Sequence, residues 1–142
     1  MNVLSLFDGM SCGQIALERA GIKVDKYFAS EIKKDGIKVT MANYPNTIQL
    51  GDVCNVEYEN GVLHSDNGDF EVEIDLLIGG SPCQDFSIAN SERKGLDGVK
   101  SGLFYQYLRL KEEVSPAYFL LENVAMEQSS YNTISRLMGT HP

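Results

Sequence analysis

Apolar and polar positions alternate along this chain in short blocks whose period switches repeatedly. "NVLSLF" (2–7) is an apolar run that stops at Asp8-Gly9, and "GQIALERAG" (13–21) carries Ile15, Ala16, Leu17 and Ala20 at helical spacing with Gly21 as a stop. "KVDKYFAS" (23–30) reads as a second strand ending at Glu31, followed by a helix over roughly 33–43 and a third strand, "TIQLGDV" (47–53). Two Asn-Gly pairs, Asn60-Gly61 and Asn67-Gly68, precede the alternating "DFEVEI", which predicts a small β-hairpin insertion on the surface. "IDLLIGG" (74–80) and "YFLLENV" (118–124) are apolar throughout, as strands buried on both faces are. Between them lie a polar, glycine-punctuated loop over 84–100 and a helix from about Ser101 to Val114, broken at Pro116. A last helix is expected over about 128–138.

Strand–helix alternation of this kind predicts an α/β fold: a three-layer, doubly wound, mostly parallel sheet with right-handed crossovers. Ligands in such sheets sit at the carboxyl ends of the strands. Asp8-Gly9, Glu31, Asp52, Pro82-Cys83 and Glu122-Asn123 all fall there.

Composition narrows the function classes. With 142 residues the chain suits one domain. The net charge of −8 is regional, because eight acids and no Lys or Arg lie between Asp52 and Leu76, and the remaining twelve acids balance twelve bases. The strongly basic footprint of an autonomous DNA binder is therefore missing, although a DNA-facing surface elsewhere is compatible with the charge. Cys12, Cys54 and Cys83 are widely spaced and odd in number, and the only histidines are His64 and His141, a pattern that argues against a zinc site or a disulfide framework. No apolar run approaches the roughly 20 residues of a membrane span, and the N-terminus reads as a buried strand, so a cytoplasmic location is expected, or a nuclear one in a eukaryote.

The glycine turn "FDGMSCG" (7–13) opens a helix, where backbone N–H groups can meet a ligand. Glu31, about 20 residues on, stands where an acid grips ribose hydroxyls in nucleoside-binding α/β folds, and Asp52 stands where a carboxylate could accept from an adenine amino group. A Gly-x-x-x-x-Gly-Lys phosphate cradle is absent, which fits an adenosine cofactor without a triphosphate. Cys83 follows a buried strand behind Pro82, and Glu122 ends the next apolar strand. Alone, that pair reads either as a thiol enzyme with a carboxyl partner or as plain packing.

Taken together, "FDGMSCG", "ASEI", "GDV", "GGSPCQDFS", "SGLF" and "FLLENV" occur in the order and spacing of the DNA (cytosine-5) methyltransferases, and the chain resembles that family over nearly its whole length. The "FDG…G" form looks most like the de novo-type branch and its phage relatives. The resemblance implies a Rossmann-like S-adenosylmethionine-dependent fold. It implies a cofactor pocket lined by Phe7, Asp8, Gly9, Met10, Ser11 and Cys12, with Glu31 on the ribose, Ile32 against the adenine, Asp52 and the Val53 backbone at the adenine amino group, and Pro82 and Leu103 closing the pocket. Cys83 becomes the nucleophile that adds to carbon 6 of a flipped cytosine, and Glu122 the group that contacts the base. Ser87, Arg93, Lys94, Lys100 and Asn123 are the implied DNA contacts, and no metal is required.

The sequence ends at "MGTHP", without the arginine-bearing Gln-x-Arg-type motif, the target recognition region and the final segment of family members. Residues 1–142 are thus expected to form the cofactor-binding and catalytic portion alone, to bind double-stranded DNA weakly, and to need a further segment or protein partner. Two other readings stay open: a regulatory, non-catalytic methyltransferase-like partner, and a cofactor-binding module for a different methyl acceptor.

Overall fold

The computed structural model describes residues 1–81, 102–123 and 128–140. In chain order the elements are β1 (Asn2–Leu6), α1 (Cys12–Arg19), β2 (Lys26–Ser30), α2 (Lys34–Asn43), β3 (Ile48–Gln49), β4 (Glu57–Glu59), β5 (Val62–Ser65), β6 (Gly68–Glu71), β7 (Leu76–Gly79), α3 (Leu103–Val114), β8 (Tyr118–Leu121) and α4 (Gln128–Met138).

Strand β1, whose Val3, Leu4 and Leu6 are fully buried, lies at the centre of the main sheet, whose order is β3-β2-β1-β7-β8. It pairs in parallel with β2 on one side and β7 on the other, and the β2–β3 and β7–β8 pairs are parallel too. Successive side chains of a strand point to opposite faces, so Leu4 and Leu6 enter one core and Val3 the other. The larger core joins Leu4, Leu6, Phe28 and Leu77 to Phe104, Tyr107, Leu110 and Val114, which recur at helical spacing on α3. The smaller one packs Val3, Tyr27 and Ala29 beneath Leu17 of α1.

Several expectations change. Of the helical face read as Ile15, Ala16, Leu17 and Ala20, only Leu17 is buried, and the helix meets the sheet instead through Gly13, where an added Cβ would lie 2.5 Å from the Ile78 side chain. The third strand shrinks to two residues: Gly51 turns the chain out at φ +88°, and Asp52 then caps a 3-10 turn over Val53–Asn55. The predicted surface hairpin is a three-stranded antiparallel sheet, β4-β5-β6, that covers part of the main sheet. Leu63 and Val72 belong to the larger core, and Phe70 meets Phe28 edge-to-face at a centroid distance of 5.4 Å.

The first hairpin turn is Asn60-Gly61, both at positive φ, as an Asn-Gly turn requires. The second centres on Asp66-Asn67, since Gly68 is already paired with Ser65. Finally, β8 is apolar yet is the edge strand, and Tyr118, Phe119 and Leu120 are 63, 36 and 58% exposed. The expected loop over 84–100 lies outside the described residues.

Candidate cofactor and catalytic site

The carboxyl ends of β1, β2, β7 and β8 lie side by side, with the loop after β3 beyond β2. After β1 the chain makes a tight turn with Phe7, Gly9 and Ser11 all near φ +60°. Two of these are not glycine, so the left-handed conformation needs hydrogen bonds to hold it. Asp8 supplies it. Its carboxylate accepts from the hydroxyls of Ser5 (2.6 Å), Tyr27 (2.8 Å) and Ser11, while its own N–H donates to the Ser30 carbonyl (3.2 Å). Burial, and after it the neighbouring Asp8 charge, push the Tyr27 phenol up from its ordinary value, which keeps it a hydrogen-bond donor.

Glu31, at the end of β2, fastens the other side of the turn. Oε2 accepts from Gly9 N–H at 2.8 Å, and Oε1 from the Ile32 and Lys33 N–H groups at 2.8 Å each. Helix α2 presses from behind: a Cβ added at Gly36 would lie 2.6 Å from the Gly9 carbonyl oxygen. On Gly9 itself an added Cβ would meet no described residue within 4 Å, so the space over the turn is open among the described residues.

The residues foreseen as pocket lining therefore divide. Asp8 and Ser11 turn inward to one another and Ser11 is fully buried, whereas Met10, Cys12 and Ile32 are exposed, Ile32 to 67%. Phe7 and Leu103 are half-buried against the larger core. Asp52 is half-buried, and its Oδ1 accepts from Cys54 N–H at 2.9 Å. The Val53 side chain is in the core, and its carbonyl accepts from Arg109 of α3 at 3.2 Å.

At the other end of the site, β7 and β8 finish level, Gly79 opposite Leu121, and Glu122 N–H donates to the Gly79 carbonyl at 2.8 Å. Glu122 is exposed and its side chain lies over Gly80, where an added Cβ would fall 2.6 Å from Oε2. Asn123 is half-buried, and the Ser81 hydroxyl is buried with no hydrogen-bond partner among the described residues. Pro82, Cys83, Ser87, Arg93, Lys94 and Lys100 lie outside the described residues. Among the described residues, no group of three His, Cys, Asp or Glu side chains could hold a metal ion. No described helix is long and apolar enough to cross a membrane.

Sequence reasoning missed Tyr27, Gly36, Asp66 and Arg109. Tyr27 carried a faint signal, a hydroxyl inside an apolar strand, which must find a partner when buried. The others act through space from distant segments and leave no local pattern.

The fold matches a crystal structure of a DNA modification methyltransferase encoded within an Escherichia coli prophage, with a TM-score of 0.68 and 26% identity over 98% of this chain and 37% of that one. A Spodoptera frugiperda DNMT2 mutant shares the fold alone, with a TM-score of 0.63 and 18% identity over 96% of this chain and 38% of that one. This is the α/β methyltransferase fold. The family model for C-5 cytosine-specific DNA methylases matches residues 1–137, and the chain belongs to that family. It is 36% identical over 126 residues to the orphan methyltransferase M.Rho11sI of Bacillus phage rho11s, covering 87% of this chain and 23% of the relative. It is 35% identical over 126 residues to the type II methyltransferase M.NgoPII of Neisseria gonorrhoeae, covering 88% of this chain and 33% of the relative. The chain thus spans about a quarter to a third of the length of these relatives.

Proposed function

We propose that residues 1–142 form the S-adenosylmethionine-binding and catalytic portion of a DNA (cytosine-5) methyltransferase acting on double-stranded DNA in the cytoplasm of a bacterial or phage-infected cell. The observation that carries the reading is the level ending of β7 and β8, with Glu122 lying over Gly80 three residues ahead of Cys83. A cysteine and a carboxyl group issuing from neighbouring parallel strands are the two groups this chemistry needs.

The described residues fit the cofactor. The space left over Gly9 by the described residues, a carboxylate at the end of β2 and the exposed apolar Ile32 suit a methionine moiety, a ribose and a base respectively. Glu31 keeps acceptor capacity beyond its three backbone donors, since a carboxylate offers about four lone-pair sites. Met10 and Cys12 border the cofactor, Asp52 accepts from the adenine amino group, and Leu103 closes the pocket with Pro82. S-adenosylmethionine supplies the methyl group when bound.

Cys83, as thiolate, adds to carbon 6 of a flipped cytosine and makes carbon 5 nucleophilic. Glu122, hydrogen-bonded to the pyrimidine edge, stabilises the charge that addition creates. Carbon 5 then takes the methyl group, and loss of its proton expels the thiolate and restores the ring. Ser87, Arg93, Lys94, Lys100 and Asn123 contact the DNA, with the remaining contacts supplied by a further segment or a second protein.

The test uses DNA containing 5-fluorocytosine together with S-adenosylmethionine: fluorine replaces the carbon 5 proton and cannot leave as a cation, so the thiolate is not expelled after methyl transfer. We expect a denaturant-resistant adduct that disappears in Cys83→Ser. The experiment is run on the chain alone and on the chain supplemented with the C-terminal part of a relative. If S-adenosylhomocysteine binds but neither sample gives an adduct, the chain is a cofactor-binding partner and the catalytic reading falls.

A further inference from the structure

The β5–β6 turn reaches back to the loop after β3, the loop that carries Asp52. Asp66 Oδ2 accepts from the Asp52 N–H at 3.1 Å, and Oδ1 accepts from the Asn55 side-chain amide at 2.9 Å. Its neighbour Asn67 donates through Nδ2 to the Gln49 carbonyl at 2.9 Å. The approach is close enough to exclude a side chain opposite: a Cβ at Gly51 would lie 2.7 Å from Asp66 Oδ2. The same loop is held from two further directions, by Ser30 Oγ donating to the Gly51 carbonyl at 2.8 Å and by Arg109 Nη2 donating to the Val56 carbonyl at 2.7 Å.

This arrangement is not a default for a surface turn. It places the carboxylate of one acidic residue against the backbone N–H of another. Both Asp66 oxygens are thereby engaged, by the Asp52 N–H and by the Asn55 side-chain amide. These bonds fix Asp52 from its backbone side, while the Cys54 N–H holds Asp52 Oδ1 and thereby orients the carboxylate, leaving Oδ2 unclaimed among the described residues.

We infer that the β5–β6 turn is a clasp that sets the position of Asp52, and that Asp66 is a positioning residue for recognition of the adenine amino group. The inference rests on the proposed role of Asp52 as the adenine acceptor. It assigns the inserted antiparallel sheet a part in cofactor selectivity, in addition to its part in the core.

Calorimetry of the 142-residue chain with S-adenosylhomocysteine and with its analogue lacking the 6-amino group tests it. Wild type should favour the amino-bearing ligand by about tenfold or more, the worth of one hydrogen bond to a charged acceptor. Asp66→Ala should bring the two affinities to within about twofold, and Asp66→Asn, which keeps one acceptor oxygen, should restore part of the preference. Asn67→Ala, which loosens the same turn, serves if Asp66→Ala does not fold. Amide hydrogen exchange at Asp52 in the ligand-free chain should accelerate in these variants. A merely structural role would lower thermal stability and weaken both ligands equally. Unchanged discrimination in a folded Asp66→Ala or Asn67→Ala variant overturns the clasp. Wild type that binds neither ligand, or both equally, overturns the role of Asp52 and the clasp with it.

Discussion

Gly36→Ala should destabilise the protein, against the ordinary sign for a helix. Gly36 is half-buried and lies within α2, where replacing glycine with alanine normally gains up to about 1 kcal/mol by restricting the unfolded backbone. Here the added carbon would lie 2.6 Å from the Gly9 carbonyl oxygen and 3.1 Å from its carbon, against a floor of 3.0 Å for real Cβ contacts. Both atoms are backbone, and Gly9 is held by Glu31, so helix and turn must part by about 0.4 Å or more. Overpacking of this kind costs about 1–3 kcal/mol. The net loss should be about 1–2 kcal/mol, a fall in Tm of about 3–6 °C for a chain of this size. Affinity for S-adenosylhomocysteine should fall alongside, because the displaced turn draws Gly9 away from Glu31. Differential scanning calorimetry with and without ligand reads both. A Tm equal to or above wild type would refute the reasoning.

Tyr27→Phe should cost about 1–2 kcal/mol at neutral pH, because Asp8 loses a donor. The folded-state pKa of Tyr27 lies above its ordinary value of 10.0, so the stabilisation it gives is complete below about pH 10 and is lost as pH rises further. Melting curves between pH 8 and 11 should therefore fall more steeply for wild type than for the variant. Arg109→Ala removes donors to the Val53 and Val56 carbonyls and the 2.7 Å contact to Glu113. The urea midpoint should drop by the equivalent of about 2 kcal/mol with the slope unchanged. Leu120→Lys, on the exposed edge strand, should change stability by no more than about 0.5 kcal/mol while reducing self-association in sedimentation velocity.

The sequence made the parallel sheet legible because each strand is a short apolar run closed by a polar or glycine-rich stop. Glu31 was readable for the same reason: it is the first acid after such a run, and it does meet the turn after β1. Asp8 shows the limit. Its position at a strand end suggested a ligand-facing group, but three hydroxyls from β1, β2 and the turn claim its carboxylate. Nothing local distinguishes those outcomes, because two of the partners are hydroxyls on strands, aimed by the pleat. The second Asn-Gly pair misled in a similar way. Turn propensity located the bend, but the pairing of Ser65 with Gly68 moved its centre back by one residue and made Asp66 and Asn67 its tip. Apolar content likewise forecast burial for β8, although burial depends on what lies next to a strand as well as on its own residues.

The β4-β5-β6 sheet has an electrostatic consequence for the whole molecule. Glu57, Glu59, Asp66, Asp69, Glu71 and Glu73 are all exposed on it or beside it. With a screening length of about 8 Å at physiological ionic strength, such a cluster repels phosphates only over its own flank. A polyanion nearing the strand ends is thus turned away from the β3 side and toward β7 and β8, an orienting bias that added salt would erase.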